Sequence, residues 1–280
     1  MDWFGNQDSS KLEQPRVRVI TKSADFPGGV RMPDREDAAW GEEWQADRVT
    51  LGRHFLRDME GLWRQILKLA AVVETTLNTS VRALCDGRAD LAAEVNFEEE
   101  SIDRWEVQIE RDCLKILALH QPVASDLRRV AAILRINSDL ERMADLARHI
   151  AKRARKLAEE PSGRALPRGL EVMAAEAMDQ VRESLDALTQ GNVEQARAVI
   201  AGDRKVDRHR SAVVSELKQA IRDDPDRLDC WLRLINATRN LERVADHATN
   251  IAEAVVYLKE GDIIRHDSNS GRFSKPKPKG

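Results

Sequence analysis

The stretch Leu140–Ala151, LERMADLARHIA, returns in nearly the same form as Leu241–Ala252, LERVADHATNIA. Each copy sets a glutamate and an aspartate four residues apart, Glu141/Asp145 and Glu242/Asp246, within apolar residues at helical spacing. Side chains at i and i+4 stand one above the other on a helix, so paired carboxylates repel each other and cost stability unless a cation lies beside them. A chain that writes this arrangement twice is read as a duplicated helical unit whose repeat carries a function.

The punctuation on either side of the two copies agrees. Apolar residues at helical spacing run from about Leu51 to Leu84, with Gly87 in the place of a helix stop. A second helix is expected from about Asp90 to Leu119, and a third opens at Pro122 and continues to about Leu157. The second half repeats the plan with a helix from about Leu170 to Thr189, a stop at Gly191-Asn192 and another helix to Ile221. The last helix opens at Asp224-Pro225 and runs to Leu258. Connections this short force antiparallel neighbours. The expected fold is therefore all-α, two tandem and pseudo-symmetric three-helix bundles over residues 49–160 and 170–262, joined by a linker at 161–169. Residues 1–48 lack sustained periodicity and read as a flexible extension in which Trp40 and Trp44 share a helix face, and residues 263–280 read as a basic flexible tail.

Composition narrows the function. A third of the residues are charged and only 4 % are aromatic, with Ala, Leu, Glu and Arg prominent, which suits long amphipathic helices. Both signs of charge are interspersed and the net charge is -3, so nucleic acid is not expected as a ligand. Cys85, Cys113 and Cys230 lie far apart among apolar residues and read as reduced core thiols. Neither a secretion signal nor a membrane-spanning run is apparent, and a cytoplasmic location is expected.

Acid pairs alone are a weak signal, because about four [DE]xxxD matches are expected by chance at this acid content. Six occur. Glu43/Asp47 falls in the extension and Asp86/Asp90 straddles the Gly87 turn, leaving Glu99/Asp103, Glu141/Asp145, Asp203/Asp207 and Glu242/Asp246 on the second and third helices of each half. Asp103 precedes Leu119 by 16 residues and Glu141 follows Pro122 by 19; in the second half the spacings are 14 to Ile221 and 17 from Pro225. At about 1.5 Å per residue the pairs of each half sit at nearly one height. Glu141 and Asp145 flank the stripe Ile133, Ile136, Leu140, Met143 and Ala147, while Glu99 and Asp103 flank Ile102, Trp105, Ile109 and Ile116. If these flanks converge, each half gathers four carboxylates into an oxygen-rich patch suited to Mg, Mn, Fe or Zn ions. If they splay apart, the acids form an ordinary solvated face with Arg142 and Arg243 as salt-bridge partners. His149 continues the ladder of Glu141 and Asp145, but Asn250 stands in its place in the second half.

The segments HQPVASDLRRVAAILRINSDLERMADLARHIAKR and LINATRNLERVADHATNIAEAVVYLKEGDIIRH, with IERDCLKILALHQPVASDLR and the DRKVD element at 203–207, resemble the PhoU family of phosphate-signalling proteins over about residues 50–267. The resemblance implies two tandem three-helix bundles and multinuclear metal sites built from Glu99, Asp103, Glu141 and Asp145 in one half and Asp203, Asp207, Glu242 and Asp246 in the other. It further implies negative regulation of phosphate uptake, with two partners: the ATPase of a phosphate ABC transporter and a phosphate-responsive sensor histidine kinase. A homodimer, peripheral to the membrane through those partners, is expected. Ala144 and Ala245 stand where the family usually has glycine.

Two other readings of the same residues are a di-metal carboxylate enzyme or metal-storage protein and a purely structural scaffold. Ferritin-like di-metal sites use Glu-x-x-His, and none of the six histidines has a glutamate three residues before it. Walker A, dinucleotide-binding and GxSxG patterns are also missing, so no enzymatic activity is expected.

Overall fold

The computed structural model describes the backbone of residues 42–160 and 166–264; within it, the side chains of residues 42–51 and 96–100 lie outside the description. Trp40, the side chain of Trp44 and the segment 265–280 likewise lie outside the described residues. The first half contains α1 (Glu42–Asp86), α2 (Ala89–His120) and α3 (Ser125–Ala158). The second contains α4 (Leu170–Gln190), α5 (Val193–Gly202), α6 (Arg204–Asp223), a 3-10 turn at Pro225–Arg227 and α7 (Leu228–Glu260). Among the described residues every regular element is helical.

The expected stops act as stops for the expected reason. Gly87 and Gly191 adopt φ of 71° and 62°, the left-handed conformation that glycine enters without a Cβ clash. Beyond Gly191, the Asn192 N–H returns to the Ala187 carbonyl (3.0 Å), and the Asn192 side chain accepts from the Gln195 N–H to cap α5 (3.1 Å).

Three boundaries differ from the sequence reading. α1 begins at Glu42, inside the segment read as a flexible extension. The second helix of the second half is broken: Gly202 and Asp203 interrupt it between α5 and α6, and Asp203 becomes the residue before α6. Pro122 does not open α3, which starts three residues later, after Val123-Ala124. Ala124 sits at φ 49° and ψ -115°, the conformation of the first central residue of a type II′ turn, and the Asp126 N–H closes the turn on the Val123 carbonyl (3.1 Å). Alanine is strained there, so Ala124→Gly is expected to raise stability by on the order of 1 kcal/mol in urea denaturation. A loss of stability would show that the turn relaxes without its β-carbon.

The stripes read from the sequence form one continuous core. Leu62, Ile66, Leu69 and Leu77 of α1, Ile109 of α2, Ile133, Leu140 and Met143 of α3, and Leu234, Leu241 and Ile251 of α7 are all buried. α3 packs on α2 within its own half and on α7 across the halves, while α7 collects α4, α5 and α6. Trp105 departs from its assigned stripe and is exposed. None of the three cysteines forms a disulfide; Cys113 and Cys230 are buried, whereas Cys85 is half-buried at the core's margin. Burial, aided by Asp112 and Glu110, pushes the Cys113 thiol up to about 12.

Candidate functional site

α3 and α7 are the central helices of their halves, and each turns one polar flank toward its partner helix while its apolar stripe fills the core. In the first half this brings Asp103 of α2 together with Glu141 and Asp145 of α3. With Thr76, Val95, Ile102, Ala144 and Arg148 they line one small recess, so the flanks converge. The Ala144 methyl is part of that lining. Glu99 lies on α2 one turn before Asp103, and its side chain is outside the described residues. Arg148 Nη2 pairs with Asp145 Oδ1 at 2.6 Å, and Arg142 reaches Glu141 Oε2 at 3.4 Å. Burial pushes the Glu141 carboxyl above its ordinary range, and the charges of Asp145, Glu106 and Asp103 add to this while Arg142 opposes it.

The second half builds its patch with a different backbone. Asp207 lies in the first turn of α6, and the break after Gly202 lets Asp203 turn toward α7. Thr249 Oγ1 of α7 donates to Asp203 Oδ1 (2.9 Å), and Gln180 Nε2 of α4 donates to Thr249 Oγ1 (2.8 Å) and more distantly to the Ala245 carbonyl (3.5 Å). This chain of hydrogen bonds fixes the carboxylate from behind. Glu242 is held by Arg210 Nε at 2.8 Å. Its carboxyl is raised by burial, with Asp207 and Asp203 adding and Arg210 and Arg239 opposing. Asp246 is raised furthest, to about 6, by the atoms packed around it and then by Asp203, Glu242 and Asp207. Its side chain still meets solvent, so water and ions reach the group.

Both halves thus concentrate hard oxygen donors whose mutual repulsion a cation would relieve. Among the described residues, however, no three of His, Cys, Asp and Glu stand close enough to hold one ion in common. The present arrangement has Arg148 and Arg210 drawn onto the carboxylates, where a bound cation would compete with them.

Some participants have no place in the [DE]xxxD template. Glu106, three residues beyond Asp103, faces the same patch, and its carboxyl is raised by burial and then by Glu110 and Asp103. A search for aspartate at the fourth position passes over it. His149 is exposed along one edge; partial desolvation of the rest of its ring and then the charges of Arg148 and Arg153 disfavour its protonated form. His247 and Asn250 instead meet Asp139 of α3, with His247 Nδ1 2.8 Å and Asn250 Nδ2 3.1 Å from the same Oδ1. These bonds tie the halves together where side chains are largely shielded from water. Asp139→Ala should leave both partners without an acceptor and cost about 1–3 kcal/mol. Asp139→Asn should cost less, and equal urea midpoints for all three proteins would show that the contact contributes nothing.

A family profile described as "PhoU domain" matches this chain twice, over residues 66–154 and 170–255. The chain belongs to the PhoU family. The two matches fall one on each half, and each contains a copy of the acid-bearing repeat. The "Phosphate-specific transport system accessory protein PhoU homolog" of Pseudomonas aeruginosa is 36 % identical over 219 residues, covering 77 % of this chain and 89 % of its own length. The protein of the same description from Aquifex aeolicus is 37 % identical over 210 residues, covering 75 % and 95 %. The crystal structure of PhoU from Pseudomonas aeruginosa superposes with a TM-score of 0.71 at 36 % identity, covering 74 % of this chain and all of that one. The phosphate transport system regulatory protein PhoU from Streptococcus pneumoniae superposes with a TM-score of 0.68 at 27 % identity, covering 75 % and 98 %. Among the described residues, no helix is long and apolar enough to cross a membrane.

Proposed function

We propose that this protein is a non-enzymatic negative regulator of phosphate uptake and phosphate-starvation signalling, an adaptor between the ATPase of a phosphate ABC transporter and a sensor histidine kinase. The observation that carries the reading is the pair of acidic faces at matching places on the two halves, in a chain whose relatives are accessory to phosphate-specific transport. Within that reading the eight residues Glu99, Asp103, Glu141, Asp145, Asp203, Asp207, Glu242 and Asp246 hold divalent cations of the Mg, Mn, Fe or Zn kind. A bound cation supplies positive charge between helices whose acids otherwise repel. Asp203, held by Thr249, and solvent-reaching Asp246 provide ligands with less reorganisation than Glu242, which Arg210 holds. The adaptor works in the cytoplasm as a homodimer, and its acidic faces with the helices beside them are the partner surfaces.

Genetics tests this directly. Deleting the gene should derepress phosphate-starvation responses in rich phosphate, and a copy lacking residues 1–48 should restore repression, since both family matches begin after them. Normal repression in the deletion strain would overturn the regulator reading. Loss of repression on truncation would move the partner contact to the N-terminal segment that holds Trp40 and Trp44.

A further inference from the structure

The two ends of the bundle are chemically unlike. α3 and α7 run antiparallel: Arg128 at the start of α3 lies against Gly261 after α7, Asp139 meets Asn250 at mid-length, and Glu160 after α3 pairs with Arg233 near the start of α7 at 3.4 Å. The α2–α3 turn and the α6–α7 turn therefore point to opposite ends. The α6–α7 end carries both signs of charge, with Asp223, Asp224, Asp226 and Asp229 interleaved with Arg222, Arg227 and Arg233 beside exposed Leu228 and Leu232.

The α2–α3 turn is apolar and cationic. Val123 is 74 % exposed at its tip, with Leu119 at 63 %, Leu114 at 54 % and Leu127 at 46 % around it. Lys115 and Arg129 are exposed beside these side chains, Arg128 is half-buried, and Arg111 follows one turn further along α2. Of the acids in the same stretch, Asp126 pairs with Arg129 at 3.5 Å, Asp112 accepts from Gln65 and Gln108 (3.0 Å each), and Glu110 is exposed beside Arg111. The turn is braced from behind, since His120 Nε2 lies 3.2 Å from Asp58 and its ring meets the Phe55 ring edge-on at 5.5 Å. Together with the strained Ala124, this holds a braced knob on which Leu119, Val123 and Leu127 face water.

We propose that the α2–α3 turn is a membrane-contacting tip, which seats Leu119, Val123 and Leu127 at the headgroup–acyl boundary of an anionic bilayer and sets Lys115, and Arg129 in exchange for its exposed pair with Asp126, against the lipid phosphates. An exposed apolar tip with a cationic collar complements an anionic lipid surface. The opposite turn, whose leucines lie among four aspartates and three arginines, offers no such cationic collar. The inference does not depend on the regulator reading: lipid contact and partner binding are separate measurements.

Flotation of the full chain with vesicles provides the test. The protein should float with mixed phosphatidylcholine–phosphatidylglycerol vesicles and stay behind with phosphatidylcholine alone, and added salt should weaken binding. Leu119→Asp with Val123→Asp should cut the bound fraction at least about tenfold, whereas Leu228→Asp with Leu232→Asp should leave it unchanged. Val123→Trp should show a blue-shifted emission on vesicle addition that Leu228→Trp lacks, a readout that needs no destabilising change. Failure of the wild type to float, equal flotation of the tip variant, or the absence of the Val123→Trp shift would overturn the proposal. A tip variant that floats normally but fails to bind purified transporter ATPase would assign the knob to a protein partner instead.

Discussion

Replacing Asp145 and Asp246 together by alanine is expected to abolish most divalent metal bound to the purified protein while leaving it folded. Each substitution removes a donor from one half, and each lies on the polar flank of a helix whose opposite stripe fills the core, so packing is retained. Elemental analysis of metal-loaded protein reads the result; equal metal in wild type and double variant would exclude these carboxylates as ligands. The pH dependence follows from Asp246. Its carboxyl is raised from 3.8 to about 6, so the stabilisation associated with its protonated form is fully present below pH 3.8 and lost as pH rises through about 6. In the presence of a chelator, Asp246→Ala should therefore be more stable than wild type at pH 7.5, by about 0.5 kcal/mol for relief of like-charge repulsion. The advantage should vanish at pH 4. For the same reason, cation binding to this half must displace a proton below pH 6, and affinity should fall as pH is lowered through that value.

A much larger loss of stability is expected from Leu241→Ala. Leu241 is fully buried and begins the second copy of the repeat, on the helix that packs against α4, α5 and α6 within its half and against α3 across the halves. Truncating a buried leucine costs about 2–5 kcal/mol through lost transfer energy and the cavity left behind. Because one continuous core joins the halves, the loss should lower a single transition that reports on both. Urea unfolding followed by helicity and by the fluorescence of Trp63 in the first half and Trp231 in the second, each retained singly, reads this. Separate midpoints for the two tryptophans would show that the halves unfold independently.

The repeat was the legible part of this molecule. The 3.6-residue period of Ile133, Ile136, Leu140 and Met143 sufficed to place the buried side of α3, and the glycines at 87 and 191 marked real stops because nothing else enters the left-handed region as readily. The convergence of Asp103 with Glu141 and Asp145 was left open by the sequence, since it depends on how α2 and α3 are rotated against each other. The break at Gly202-Asp203 was hidden for another reason: Val193–Asp223 keeps helical periodicity across it, and a single glycine inside a helical pattern is often tolerated. Asp139 with His247 and Asn250 was equally invisible, because its members are more than a hundred residues apart and meet only when α3 packs on α7. Trp105 was misassigned because angle alone places it near the stripe, while packing turns it to solvent.

In the proposed function the protein regulates by binding, through its acidic faces, the ATPase of a phosphate transporter and a sensor histidine kinase. Affinity purification from phosphate-replete cells, with wild type and the Asp145→Ala/Asp246→Ala variant compared side by side, tests it most directly. The expected result is recovery of both partners with the wild type and clear depletion of both with the variant. Recovery of neither partner with the wild type, or equal recovery with the variant, would contradict it.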